Sequence, residues 1–113
     1  KLTIFFQHYF GAHTDGIYRP PFVNNEFRSS YLTMMLYLNG PKQVDADLPT
    51  FQGGSTNFLT PKKDVIYECV PEAGSALVFV QEDIKCYHDG GKVLGGTKYI
   101  LRSDVMYKGQ AKQ

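Results

Sequence analysis

The sequence predicts an all-β domain of the jelly-roll type, a double-stranded β-helix. Over its 113 residues, no stretch keeps a helical apolar period through three turns, so no amphipathic helix is predicted. Instead, short runs rich in β-branched and aromatic side chains are separated by glycine and proline. Such spacing is typical of a barrel or sandwich of short strands. The length suits a single domain spanning residues 1–113.

Several apolar runs along the chain are predicted to be strands. They are Leu2–Tyr9, Tyr31–Asn39, Ser55–Leu59, Asp64–Val70, Ser75–Val80 and Thr97–Tyr107. Leucine and methionine in the second run leave a helix as the alternative there. The fifth run is continuously apolar, which predicts a strand buried on both faces. Between the second and third runs, Gly40–Gln52 is expected to be a long, turn-rich excursion.

Composition argues against two classes of protein, nucleic-acid binders and membrane-spanning proteins. The net charge is +1 and the charges are spread along the chain, which argues against a nucleic-acid binder with a basic patch. No apolar run approaches the roughly 18–20 residues of a membrane span, and no leader resembling a signal peptide is visible. The two cysteines, Cys69 and Cys86, are expected to be free thiols. Free thiols favour the cytoplasm or nucleus without fixing the compartment.

A histidine–aspartate pair and a later histidine form the candidate metal site. His13 and Asp15 are two residues apart, so on an extended segment both side chains could ligate one ion. The alternative for this pair is a surface turn in which Asp15 caps Gly16. His88 precedes the last predicted strand, where a jelly roll can return it beside the first sheet. Two histidines and a carboxylate make the facial triad of non-haem iron(II) oxygenases. His8, by contrast, is expected to be a packed or edge histidine.

The last predicted strand places positive charge on one of its faces. Lys98, Ile100 and Arg102 project to the same side of an extended segment. An inward lysine is costly unless an anion meets it, and 2-oxoglutarate could chelate the metal and pair with Lys98 at its far end. The alternative is Lys98 at a strand edge with its ammonium in water. Arg102 could pair with substrate, or with Asp104 or Glu82.

Several short motifs occur in a fixed order over nearly the whole chain. They are His13-Thr14-Asp15, Tyr37-Leu38-Asn39, Gly53–Phe58, Pro71–Phe79, His88-Asp89-Gly90 and Gly96–Tyr99. In this order they resemble the catalytic core of 2-oxoglutarate/iron(II)-dependent dioxygenases of the prolyl 4-hydroxylase type, which are related to the lysyl hydroxylases. The ordered set is far more specific than any single motif.

The resemblance implies that His13, Asp15 and His88 ligate iron(II) and that Lys98 binds the distal carboxylate of 2-oxoglutarate. The residues assigned to the co-substrate site are Lys98, Tyr37, Thr56 and Arg102. The implied activity is hydroxylation of an amino-acid side chain, first of all a peptidyl proline, with decarboxylation of 2-oxoglutarate to succinate. The resemblance also allows ascorbate as an auxiliary reductant, and a peptide or small molecule as substrate. No nucleic-acid or membrane partner is expected, and the sequence does not predict the oligomeric state.

Two departures from the family pattern keep rival interpretations open. Ile4 stands about where family members carry a tyrosine that contacts the co-substrate. The helices and strands that precede the core in the family are absent, so the chain is either a fragment or has an exposed sheet edge. One rival is a non-catalytic jelly-roll binding module, against which the intact triad argues. The other is a cupin-type metalloenzyme, against which the inward Lys98 argues.

Overall fold

A computed structural model describes residues 2–5, 8–22 and 24–110 of the chain. In this part of the chain, strands and one short 3-10 turn are the regular elements. The strands are β1 (Leu2–Phe5), β2 (Phe10–His13), β3 (Glu26–Tyr37), β4 (Phe51–Gly53), β5 (Thr56–Leu59), β6 (Val65–Cys69), β7 (Ala76–Val80), β8 (His88–Gly90), β9 (Val93–Gly96) and β10 (Lys98–Gln110). The 3-10 turn covers Ile84–Cys86. The all-β prediction is therefore confirmed.

The strands form two four-stranded antiparallel sheets and a separate two-stranded pair. Sheet one has the order β1-β10-β3-β7, sheet two has the order β2-β8-β5-β6, and β4 pairs with β9. The longest ladder joins β10 to β3, with Ile100 opposite Tyr37 and a register shift after Val105. Paired strands such as β3 and β10 are distant in sequence, and the chain between them passes through the other sheets before it returns.

The core lies between sheet one and the other two groups of strands, because alternate side chains of β3 and β10 face inward. The buried cluster consists of Tyr37, Phe51, Val93 and Ile100, with Met35, Cys69 and Leu77 packed against it. A second contact between the sheets is made by Phe58 on β5 and Phe79 on β7, whose rings meet edge to face at 5.4 Å. Aromatic side chains thus fix the separation of the sheets on which the site depends.

Strand β7 is not buried on both faces, so that prediction was wrong. Phe79 is 6% exposed and contacts sheet two, whereas its neighbour Val78 is 51% exposed. The continuous apolar run concealed an ordinary period of two, in which only one face of the strand packs on the opposite sheet.

Several strand boundaries also differ from those predicted. Strand β1 ends at Phe5, and the part of the predicted strand at positions 6 and 7 lies outside the described residues. Strand β3 begins at Glu26, five residues before the predicted start, because it follows β10 to its end at Gln110. Strands β2, β4, β8 and β9 were not predicted. All four contain glycine, which lowers strand propensity, and they form because a partner strand supplies the hydrogen bonds.

The two cysteines are free thiols, as predicted. None of the described segments forms a helix with the length and apolar character needed to cross a bilayer.

Candidate active site

Pairing between β2 and β8 brings the two predicted histidine ligands together. His13 and His88 are direct cross-strand partners, and their ring centroids are 4.5 Å apart. Asp15 follows β2 by two residues, so its carboxylate returns to the same side. Asp15 is 8% and His88 5% exposed, whereas the His13 side chain is 42% exposed. The cluster is therefore enclosed on the protein side and open beside His13.

One oxygen of the Asp15 carboxylate faces both imidazoles. Its Oδ1 lies 3.1 Å from Nε2 of His13 and 3.5 Å from Nε2 of His88. The ligand atoms of the three residues all lie within 4.8 Å of one another, a span that one metal ion can bridge.

Hydrogen bonds to backbone carbonyls hold both imidazole rings with the hydrogen on Nδ1, which leaves Nε2 as the atom that a metal would bind. Nδ1 of His13 is 2.7 Å from the Gly11 carbonyl, and Nδ1 of His88 is 2.7 Å from the Cys86 carbonyl. A carbonyl oxygen can only accept, so each Nδ1–H donates and each ring turns its Nε2 toward Asp15. Two Nε2 atoms and a carboxylate oxygen that face one another call for a cation or a proton among them. The donor set therefore fits a divalent metal.

The protonation states of the cluster suit metal binding as well. Burial lowers the pKa of His88 and outweighs the opposing influence of the Cys86 carbonyl and of Asp15, so the neutral ring is favoured. Burial acts to raise the pKa of Asp15, but the hydrogen bonds from Thr33 and Arg102 and the positive charge of Arg102 act the other way, and that pKa lies below its usual value. The result is a carboxylate beside a neutral imidazole at neutral pH.

Lys98 lies inward on β10, as the strand parity predicted. It is 5% exposed, its Nζ donates to the Gly54 carbonyl at 2.6 Å, and it lies 5.6 Å from the centre of the Tyr37 ring. Burial lowers the pKa of Lys98 to about 8. Gly54 has φ +74°, and an added Cβ would lie 3.0 Å from the Phe51 ring and 3.3 Å from the Lys98 side chain. A glycine is therefore needed where the backbone approaches this ammonium.

Two buried hydroxyls lie near Lys98. The Tyr37 hydroxyl is 2.8 Å from Oγ1 of Thr56, and both residues are at most 3% exposed. Burial raises the pKa of Tyr37 above its ordinary value, so the phenol stays protonated and can donate. These groups add neutral hydrogen-bonding capacity to a region whose charge comes from the lysine.

A single cavity of about 290 Å³ joins the histidine cluster to Lys98. It is lined by Phe10, His13, Asp15, Met35, Thr56, His88, Asp89, Gly90, Lys98, Ile100 and Arg102. Six of the seven predicted site residues thus line this one cavity, and Tyr37 is connected to it by its hydrogen bond to Thr56. The cavity has an anionic, imidazole-lined end and a cationic end.

Other sequence-based expectations have different outcomes. Asp89, the neighbour of His88, is half-buried, lines the cavity and accepts a hydrogen bond from Asn57 at 2.9 Å. His8 is exposed and lies outside the three-residue cluster. Ile4 is 55% exposed and pairs with Tyr99, so it does not take the place of a cavity-lining tyrosine. Arg102 contacts Asp104 at 3.6 Å, which was one of its predicted partners, and also Asp15.

Thr33 and Gln81 were missed, although both are buried polar residues next to the site. Thr33 shares the inward parity of Met35 and Tyr37, so strand alternation could have singled it out. Gln81 follows β7 directly, and nothing in the local sequence marks it.

The 2OG-Fe(II) oxygenase superfamily model matches residues 2–103. The chain belongs to this superfamily. The predicted resemblance to 2-oxoglutarate/iron(II) dioxygenases is therefore confirmed, and membership supports iron(II) and 2-oxoglutarate as metal and co-substrate. No curated protein sequence gives a significant match to the chain.

Among solved structures, the chain is similar to the viral collagen prolyl hydroxylase of Paramecium bursaria Chlorella virus-1 in complex with 2-oxoglutarate. The TM-score is 0.59 at 19% identity, over 94% of this chain and 60% of the viral chain. A truncated form of the viral enzyme gives a TM-score of 0.48 at 18% identity, over 99% of this chain and 58% of that one. The likeness to the complex shows the fold, so the jelly-roll prediction is confirmed. The chain spans about three-fifths of the length of these structures.

Proposed function

We propose that this chain is the catalytic core of a dioxygenase that hydroxylates an amino-acid side chain, first of all a peptidyl proline, and converts 2-oxoglutarate to succinate. The observation that carries the proposal is the shared cavity, with the cluster of His13, Asp15 and His88 at one end and Lys98 at the other. A metal site alone has no use for an ammonium that lines the same cavity, whereas such an ammonium can pair with the second carboxylate of a dicarboxylate that binds the metal.

Iron(II) would be held by Nε2 of His13, Nε2 of His88 and Oδ1 of Asp15. With three protein ligands, the ion would keep coordination positions for the co-substrate. Bound iron(II) would supply the redox chemistry with dioxygen that hydroxylation of an unactivated carbon requires. The protein contributes ligands whose tautomers are preset by the Gly11 and Cys86 carbonyls.

2-Oxoglutarate would lie along the cavity, with its distal carboxylate on Lys98. The Thr56 hydroxyl, bonded to Tyr37, lies at the same end and can donate to that carboxylate. A carboxylate beside Lys98 would favour the charged ammonium that burial disfavours. The inward lysine also argues against the cupin-type interpretation, which requires no second anion site.

The substrate would enter where the cavity is open to solvent. The exposed side chains at that rim include Phe10, which is 51% exposed, and the half-exposed His13. An aromatic side chain beside the metal cluster is suited to packing against a prolyl ring. The similarity in fold to a viral collagen prolyl hydroxylase supports proline as the first residue to test.

The test is succinate formation from 2-oxoglutarate with added iron(II), measured together with mass analysis of proline-containing peptides. We expect succinate to accompany the gain of one oxygen atom by the peptide, and expect both to be abolished in His13→Ala and Asp15→Ala. The exposed His8, replaced in His8→Ala, is the matched control and should retain activity. Equal turnover in all variants would remove the proposal. Succinate without a hydroxylated peptide would remove only the proline substrate.

A further inference from the structure

The second oxygen of the Asp15 carboxylate is held by the protein rather than turned to the histidines. Oδ2 accepts a hydrogen bond from Oγ1 of Thr33 at 2.7 Å and one from the Arg102 guanidinium at 3.2 Å. Thr33 is 0% exposed, whereas the Arg102 side chain is 41% exposed. The two donors approach from β3 and β10, so sheet one fixes a carboxylate whose own segment follows β2 of sheet two.

Gln81 connects these two donors into a closed ring. Its Nε2 donates to Oγ1 of Thr33 at 3.1 Å and to Oδ1 of Asp104 at 2.9 Å. Asp104 in turn lies 3.6 Å from the Arg102 guanidinium. The ring therefore runs from Gln81 through Thr33, Asp15, Arg102 and Asp104 back to Gln81. Four separate chain segments contribute to it.

The hydrogen atoms in the buried half of this ring all point toward Asp15. Nε2 of Gln81 faces the Leu32 carbonyl at 3.3 Å and Oδ1 of Asp104 at 2.9 Å, and because both can only accept, the NH₂ end of the amide lies on this side, next to Thr33. The amide oxygen on the other side accepts from the Ser30 hydroxyl at 2.6 Å, and Oγ of Ser30 accepts from the backbone N–H of Tyr18 at 2.7 Å. Thr33 accepts from Gln81 and must therefore pass its own hydrogen to Asp15. Aligned donors in an enclosed chain strengthen one another.

We propose that this ring orients the Asp15 carboxylate for metal binding, with Thr33 and Gln81 as its positioning residues. The ring occupies Oδ2 and leaves Oδ1 facing the two imidazoles. Arg102 is then a positioning residue as well, since its guanidinium is engaged by Asp15 and Asp104. The inference rests on the proposed role of Asp15 as an iron ligand.

The test compares Thr33→Val with Thr33→Ser by calorimetric titration with Mn²⁺. Valine keeps the shape of the side chain but removes the hydroxyl, and loss of such an outer hydrogen bond typically weakens metal binding about 10–100-fold. Serine keeps the hydroxyl and should restore the affinity. In the activity assay at saturating iron(II), the KM of Thr33→Val for 2-oxoglutarate should stay at the wild-type value, because Lys98 is unchanged.

A second variant keeps the test decisive if Thr33→Val does not fold. Arg102→Met removes the donor on the exposed side of the ring and should also weaken Mn²⁺ binding, whereas Arg28→Met, at an exposed arginine of β3, should not. If the wild type binds Mn²⁺ and both Thr33→Val and Arg102→Met bind it equally well, the ring has no positioning role and the proposed function stands. If the wild type binds no Mn²⁺, both inferences are overturned.

Discussion

In the proposed site, Lys98 would supply the positive charge that holds the distal carboxylate of 2-oxoglutarate. Its side chain is 5% exposed, and burial lowers the pKa of its ammonium to about 8. At neutral pH the group is still mostly protonated, but a modest rise in pH removes its charge. Recognition of a second carboxylate should therefore be sensitive to pH in a range where aspartate and histidine no longer titrate.

We expect 2-oxoglutarate affinity to fall as the pH rises through 8. The charged fraction of Lys98 decreases from about nine-tenths at pH 7 to about one-tenth at pH 9, so the Kd should rise about tenfold in calorimetry at saturating Mn²⁺.

In Lys98→Ala the Kd of 2-oxoglutarate at pH 7 should be about 30-fold higher or more, because truncating one partner of a buried charge pair costs about 2 kcal/mol or more. It should then be independent of pH. Lys108→Ala, at an exposed lysine of β10, serves as the control, and a pH profile unchanged by Lys98→Ala would contradict the assignment.

Strand parity explains which side chains could be predicted. Lys98 and Arg102 were placed on one face because a strand has a strict period of two, and the structure puts both on the cavity wall. The ring around Asp15 could not be predicted in the same way. Gln81 can donate to Thr33 and Asp104 only after three distant chain segments have come together, and no local sequence spacing predicts those hydrogen bonds.

At the scale of elements, short glycine-containing strands are what position the site. Strands β2 and β8 place His13 beside His88, and β9 leads into β10 two residues before Lys98. Their composition gives weak strand propensity, which is why β2, β8 and β9 escaped prediction whereas long apolar runs such as β3 did not. In β9, Gly96 also has a steric function, because it allows the backbone of that strand to approach β4 closely.

Gly96 should tolerate no side chain. It has φ +80°, and an added Cβ would lie 2.1 Å from the Thr50 carbonyl oxygen and 2.8 Å from Cα of Phe51. Because both contacts are to backbone, we expect Gly96→Ala to reduce the free energy of unfolding by about 1–3 kcal/mol or more, measured by urea denaturation. Gly95→Ala is the neighbouring control, since nothing lies within 4 Å of its added Cβ. Equal stability of the two variants would show that the close approach of β9 to β4 is not required.

At the scale of the whole molecule, the site is formed only when the two sheets face each other. Sheet one contributes Lys98 and Arg102, and sheet two contributes His13, Thr56 and His88. The jelly-roll class could be predicted from short strands and turn residues, and the order of motifs placed the chain in its superfamily. The strand pairing that closes the cavity depends on contacts between residues far apart in sequence, which local patterns do not record.

The most direct test is a calorimetric titration of 2-oxoglutarate into the wild type at pH 7, with and without saturating Mn²⁺, repeated with His88→Ala and Lys98→Ala. One dicarboxylate bridging the metal and the ammonium predicts tight binding only in metal-loaded wild type. It also predicts weaker binding when Mn²⁺, His88 or Lys98 is removed. If 2-oxoglutarate binds equally well under all these conditions, the cavity does not hold it in the way proposed.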